Sequence, residues 1–171
     1  MFFSTLATRT TKGKENDVLV AIGDTVVVDY SGLENSSFSG FALKRVRYTY
    51  KLVSTSHYSG KVILHSFADP TVTSTTFAYN KNGKTQCNFE WEMTVQLFDA
   101  QNKELIPNEE HYALTSFASL NSINGKGEYV SHYNGQLIPI NGSTITVQNG
   151  RAMNYSNKGQ NQISPGWDDM G

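Results

Sequence analysis

Apolar residues recur at every second position over long stretches of this chain, and nowhere do they keep the three-to-four spacing of a helix; the pattern predicts strands throughout. The clearest run is QCNFEWEMTVQLFD, in which Phe89, Trp91, Met93, Val95 and Leu97 share one face and Asn88, Glu90, Glu92, Thr94 and Gln96 the other. That alternation makes Trp91 a core residue rather than a ligand platform. In FALKRVRYTYKLV the period of two begins at Val46 and puts Tyr48, Tyr50 and Leu52 on the apolar face of a half-buried antiparallel strand. VLVAIGDTVVVD carries two apolar runs around Gly23-Asp24 and reads as a hairpin. KVILHSF is a further strand that ends at Asp69-Pro70, because proline cannot continue a central ladder. TVTSTTFAYN is β-branched and polar, and Asn82-Gly83 supplies the next turn.

Later segments are less regular. AQNKELIPNEE reads as a loop, and HYALTSFASLN fits either a short strand or a turn of helix. From Gly127 to Ser156 the dipeptides Asn134-Gly135, Asn141-Gly142 and Asn149-Gly150 separate short apolar runs, which predicts a meander at the spacing of about 8 to 12 residues common in sandwiches. With 171 residues and no linker or internal repeat, one all-β domain is expected. Residues 1–16 (MFFSTLATRTTKGKEN) stay unassigned; they lack a basic n-region and an apolar run long enough for export or spanning, so no membrane insertion is expected.

Charge narrows the partners. Fourteen Lys plus Arg against fifteen Asp plus Glu leave a net charge of -1, so no global field draws the chain to nucleic acid or an anionic membrane, and a neutral ligand fits better. Cys87 stands alone, without a disulfide or metal-binding spacing, and reads as a small residue at a strand position. His57, His65, His111 and His132 are scattered outside any metal motif and are expected at the surface or at edges. No nucleophile elbow, phosphate loop or dinucleotide fingerprint occurs, so a non-catalytic chain is expected. Glu90 with Glu92, and Asp168 with Asp169, could suggest a glycosidase, but carboxylates on the outer face of a strand are ordinarily just solvated. The closing stretch NYSNKGQNQISPGWDDMG mixes Tyr, Trp, Asn, Gln and Asp without apolar periodicity. Saccharide sites use this mixture, the aromatic stacking on a pyranose while amides and carboxylates take the hydroxyls; the other reading is a polar loop with Trp167 tucked into the core.

At DYSGLENSSFSGFALKRVRYTYKL the chain resembles a known family, the variable domain of streptococcal antigen I/II adhesins and the related glucan-binding protein C. The positions that carry the resemblance are Tyr30, Leu33, Asn35, Ser36, Phe38 and Gly40, then Arg45, Val46, Tyr48 and Tyr50. SFADPT, QLFDAQNKELI, TSFASLN, YNGQLIPINGSTI and SPGWDD follow in collinear order, so the similarity runs from about Val18 to Asp169. The resemblance implies a lectin-like β-supersandwich of two stacked antiparallel sheets over residues 17–171, comprising the C-terminal part of a longer domain. It also implies a monomeric, non-catalytic adhesin displayed outside the cell on a wall-anchored protein. Its ligand would be a glucan or a host salivary glycoprotein; nucleic acid and lipoteichoic acid, bound by enterococcal relatives, are less expected here.

Trp167 and Asp168 match the family's GWD motif. With Tyr155, Asn154 and Gln160 they form the expected ligand-binding set, the aromatics stacking and the polar groups meeting hydroxyls. The family's Trp-containing segment ahead of that motif is replaced by NYSNKGQNQ, which leaves Tyr155 as the nearest aromatic. No cofactor is required; calcium, held by some members, is an option with Asp69 and Asp169 as weak candidates and the ligand set unassigned. The alternative function is a structural or protein-interaction module whose cleft is incomplete or occluded.

Overall fold

Alternating valines explain how the first part of the chain folds: Val18, Val20, Val26 and Val28 are all fully buried, yet they lie on strands of two different sheets. A computed structural model describes residues 2–5, 8–9, 16–66, 75–78, 87–115, 117, 120, 122–123, 125–139, 141 and 143–156. The chain divides into two compact units, Met1–Ala113 and Leu114–Gly171.

In the first unit one sheet has the order β1-β4-β7-β10-β11, formed by β1 (Phe2–Thr5), β4 (Thr25–Ser31), β7 (Arg45–Thr55), β10 (Phe89–Phe98) and β11 (Glu104–Leu105). The other has the order β2-β3-β8-β9, formed by β2 (Thr8–Arg9), β3 (Asn16–Ala21), β8 (Lys61–Ser66) and β9 (Thr75–Ala78). A small hairpin pairs β5 (Ser37–Phe38) with β6 (Phe41–Ala42). Neighbouring strands in both sheets are antiparallel.

The sheets share one core. Val18, Val20, Val62 and Leu64 come from the second sheet, and Val26, Val28, Tyr30, Tyr50 and Leu52 from the first. Removing each such Val or Leu side chain from water contributes about 1.5–3 kcal/mol, which clamps the two layers together. Phe89, Trp91 and Met93 pack against this cluster while Glu90 and Glu92 stay exposed, as the alternation of β10 predicts. A bulge between Glu90 and Trp91 absorbs one residue of register against β7. The fold is thus an all-β sandwich, with no helix among the described residues.

Several expectations are corrected. β3 and β4 are not a hairpin: the Gly23-Asp24 turn carries the chain from one sheet to the other. Its backbone bonds explain why: Ile22 N donates to Gly60 O at 3.1 Å and Gly23 N to Leu52 O at 2.8 Å, tying the corner to the β7 layer and to the turn that leads into β8. AQNKELIPNEE is not wholly loop, because Asp99 Oδ1 accepts Gln101 N and Lys103 N, at 2.9 and 2.8 Å, and turns Glu104–Leu105 back onto β10. His57 is not a surface residue; it is buried in the β7–β8 connection, with Nδ1 2.7 Å from Ser59 Oγ. His65 lies in the middle of its sheet, half-buried and paired with Asp17. The described residues of HYALTSFASLN form neither strand nor helix.

The second unit is smaller. β12 (Ser122–Ile123) pairs with β13 (Lys126–Gly127), and a three-stranded sheet has the order β14-β16-β15, from β14 (Val130–Ser131), β15 (Ile145–Gln148) and β16 (Arg151–Asn154). Leu120, Ile145 and Ala152 form its buried cluster, with Val130 and Leu137 against them. The meander expected from the Asn-Gly dipeptides is present at β15–β16, where Asn149 and Gly150 take φ of 50° and 74°, the paired left-handed residues of a two-residue hairpin turn.

Candidate functional site

β16 is the central strand of its sheet, and its residues Arg151 and Ala152 have partners on both sides. Arg151 faces Ser131 of β14 and Gln148 of β15, and cross-strand partners project from the same face. This row opens onto a recess of about 620 Å³ that also takes in Asn149, Gly150 and Met153, together with His132, Tyr133, Gly125 and Tyr155.

Tyr155 leaves the end of β16 and folds back along the hairpin. Its hydroxyl donates toward the carbonyl oxygens of Gln148 and Arg151, at 3.2 and 3.3 Å. The ring passes so close to Gly125 that a Cβ there would lie 3.0 Å from Tyr155 Cδ1, and Gly125 has a φ of 68°. Only glycine meets both demands without strain. Asn154 is 1% exposed: Oδ1 accepts Ser156 N at 2.9 Å and Ser156 Oγ at 2.7 Å, and its backbone N donates to Ser122 Oγ at 2.6 Å. Its Nδ2 has no partner among the described residues.

His132 also lines the recess, with a φ of 55° and Nδ1 3.1 Å from Ser131 Oγ. A non-glycine residue in that region costs about 1 kcal/mol or more, which the surrounding structure must hold in place. Tyr133 beside it is 38% exposed. The Arg151 guanidinium carbon sits 4.5 Å from the ring centroid of Tyr129 and has no carboxylate partner among the described residues.

A different polar cluster lies on the outer face of the larger sheet of the first unit. Asp29 meets Arg47 through two hydrogen bonds of 2.8 Å and Arg45 through one of 3.1 Å. The Arg47 hydrogen bonds hold the Asp29 carboxyl below its ordinary range against the opposing effect of burial, with Arg45 adding to the shift. Arg45 also stacks 3.7 Å over the Phe98 ring. Farther along that face Thr25, Thr49, Lys51, Glu92 and Thr94 line a shallow groove of about 150 Å³.

Of the ligand set expected from sequence, Tyr155 and Asn154 are adjacent at the end of β16, whereas Gln160, Trp167 and Asp168 lie outside the described residues. The weak metal candidates Asp69 and Asp169 also lie outside them, and among the described residues no three His, Cys, Asp or Glu side chains converge as ligands. Sequence reasoning missed Arg151, Ser131, His132, Tyr133 and Gln148. The signal was the Asn149-Gly150 turn itself, since the residues flanking a two-residue hairpin are cross-strand partners and Arg151 follows it directly.

The sequence profile of the family described as Glucan-binding protein C matches residues 2–170. The chain belongs to the glucan-binding protein C family. Among solved structures, the adhesin domain of PrgB from Enterococcus faecalis bound to DNA is 27% identical, with a TM-score of 0.65, over 83% of this chain and 49% of that one. The same adhesin domain in a further structure is also 27% identical, with a TM-score of 0.66, over 83% of this chain and 46% of that one. Glucan-binding protein C of Streptococcus mutans, reported to mediate sucrose-independent and sucrose-dependent adherence, shares the fold at 19% identity and a TM-score of 0.64, over 86% of this chain and 43% of that one. This member of the family therefore spans about half the length of these solved chains. These relatives are adhesin and glucan-binding domains.

Proposed function

We propose that the chain is a non-catalytic adhesin domain of a cell-surface protein and grips a carbohydrate or glycoprotein ligand at the recess of its second unit. The observation that carries this reading is the match to the glucan-binding protein C family over residues 2–170. The recess supports it: an open pocket lined by two tyrosines, two amides, a hydroxyl and an arginine suits a wet, shallow saccharide contact. In this reading Tyr155 and Trp167 stack on pyranose faces, and Gln160 and Asp168 take hydroxyls. Asn154 is 1% exposed and outside the recess lining, so it acts by holding Ser156 in place rather than by touching the ligand. An extracellular, wall-anchored parent, a monomeric state and a glucan or salivary glycoprotein as the ligand belong to the same proposal.

A pull-down on immobilised dextran, with a glycan array alongside, tests it. Retention of the folded chain is the expected result, and Trp167→Ala is expected to weaken binding well beyond its effect on stability. A folded chain that ignores every glycan would overturn the reading.

A second reading has its own support, because the adhesin domain of PrgB is bound to DNA. Against it stands the net charge of -1, which supplies no broad field for phosphates. Gel-shift titration with single- and double-stranded DNA separates the two, since phosphate-driven binding weakens steeply with added salt.

A further inference from the structure

We infer that the recess of the second unit selects saccharides that carry a carboxylate, with Arg151 as the group that receives it. The inference rests on the saccharide reading above and names the class of sugar. Three features of the recess lead to it.

First, the arginine is unspent as a donor. Its guanidinium makes no hydrogen bond or ion pair with any described residue, and its contact is the Tyr129 ring, 4.5 Å away. Stacking on an aromatic face orients a guanidinium plane without using its N–H groups, so the fork stays open to an acceptor. Arg45 and Arg47 show the contrary arrangement, with donors committed to Asp29.

Second, the neighbours suit a sugar acid. Ser131 and Gln148 flank Arg151 in register on the two adjacent strands, so a residue bearing a hydroxyl and one bearing a carboxamide have their Cβ atoms about 5 Å from its own. Tyr133 and Tyr155 supply aromatic surface in the same recess. A guanidinium takes a carboxylate through two parallel bonds, while the amide and hydroxyl take the ring hydroxyls beside it.

Third, the described lining contains no Asp or Glu, and Arg151 is its one permanent charge. A carboxylate therefore enters without like-charge repulsion. A polyanion such as nucleic acid is a poorer fit, because tracking a phosphate backbone takes several cations in series.

Calorimetric titration of the full chain with matched sugars tests this: cellobiouronic acid against cellobiose, and sialyllactose against lactose. Within at least one pair the acidic sugar is expected to bind about tenfold more tightly at low salt. Arg151→Gln is expected to abolish that preference, bringing the acidic sugar to the affinity of its neutral partner; Arg151→Lys, which keeps the charge and loses the fork, should retain part of it. Unchanged melting curves show that both variants are folded, and Arg151 is exposed. Equal affinity within both pairs, or a preference that survives in Arg151→Gln, overturns the inference and leaves the saccharide site standing. Failure to bind any of the four sugars, or any glycan on an array, overturns the saccharide reading as well. Arg151-dependent binding of an oligonucleotide with no sugar bound assigns the recess to phosphate and also overturns the inference.

Discussion

The two units use arginine in opposite ways. In the first, Arg45 and Arg47 close on Asp29 across β4 and β7, and Arg45 also covers the Phe98 ring, so the cations help hold strands together. In the second, Arg151 opens the central strand of a three-stranded sheet, and among the described residues its guanidinium meets only the Tyr129 ring. The same contrast runs through the packing: among the described residues nine buried side chains form the first core, whereas three form that of the second. One unit is built for cohesion, and the other leaves polar groups turned outward over a recess.

Changes in the first core should therefore cost most. Leu64→Ala removes a fully buried side chain from between the sheets and is expected to destabilise the chain by about 2–5 kcal/mol in denaturant unfolding. A loss below 1 kcal/mol would mean that the two layers do not share that core.

Asp29→Asn comes next. It weakens three hydrogen bonds to two arginines and is expected to cost about 1–3 kcal/mol at neutral pH. Because the folded carboxyl titrates below the ordinary aspartate value of 3.8, the stabilisation is complete above that pH and is lost as pH falls through the lower, folded value. The gap between wild type and variant should accordingly close in strong acid, and a gap that stays constant down to that range would show that charge is not its source.

In the second unit the effects are smaller. Gly150→Ala forces a side chain into a left-handed turn residue with φ of 74° and should cost about 1 kcal/mol. Open space around that position excludes a clash as the cause. Tyr155→Phe removes one hydroxyl from two carbonyls and should cost about 0.5–1.5 kcal/mol while keeping the ring, so saccharide binding should hold within a few-fold.

How far the sequence could be read follows from the same contrast. β10 and β7 were legible because one face is buried and the other wet, which writes a period of two into Phe89 to Leu97 and Val46 to Leu52. The Gly23-Asp24 turn misled, since a tight turn between apolar runs looks alike whether it joins partners in one sheet or crosses between two; long-range bonds to Leu52 and Gly60 make the choice. β11 was hidden because its turn is closed by the Asp99 side chain rather than by an Asn-Gly pair. His57 was hidden because its burial comes from the Ser59 contact and the Tyr58 ring at 4.5 Å, neither of which has a periodic signature. At the site, local composition drew attention to Tyr155 and Asn154, which the fold places at the end of β16. Arg151 was invisible for a different reason: its role depends on which residues face it across two strands, Ser131 and Gln148, and on what does not face it.

We propose that this family member holds a saccharide in the recess of its second unit. Amide-resolved NMR of the labelled full chain, titrated with dextran oligosaccharides and with the acidic and neutral sugar pairs, tests it most directly. Shifts are expected to concentrate at Gly125, Ser131 to Tyr133 and Gln148 to Tyr155, with the Trp167 indole responding alongside. Shifts centred instead on the Thr25, Thr49 and Thr94 face of the first unit, or none at saturating sugar, would contradict it.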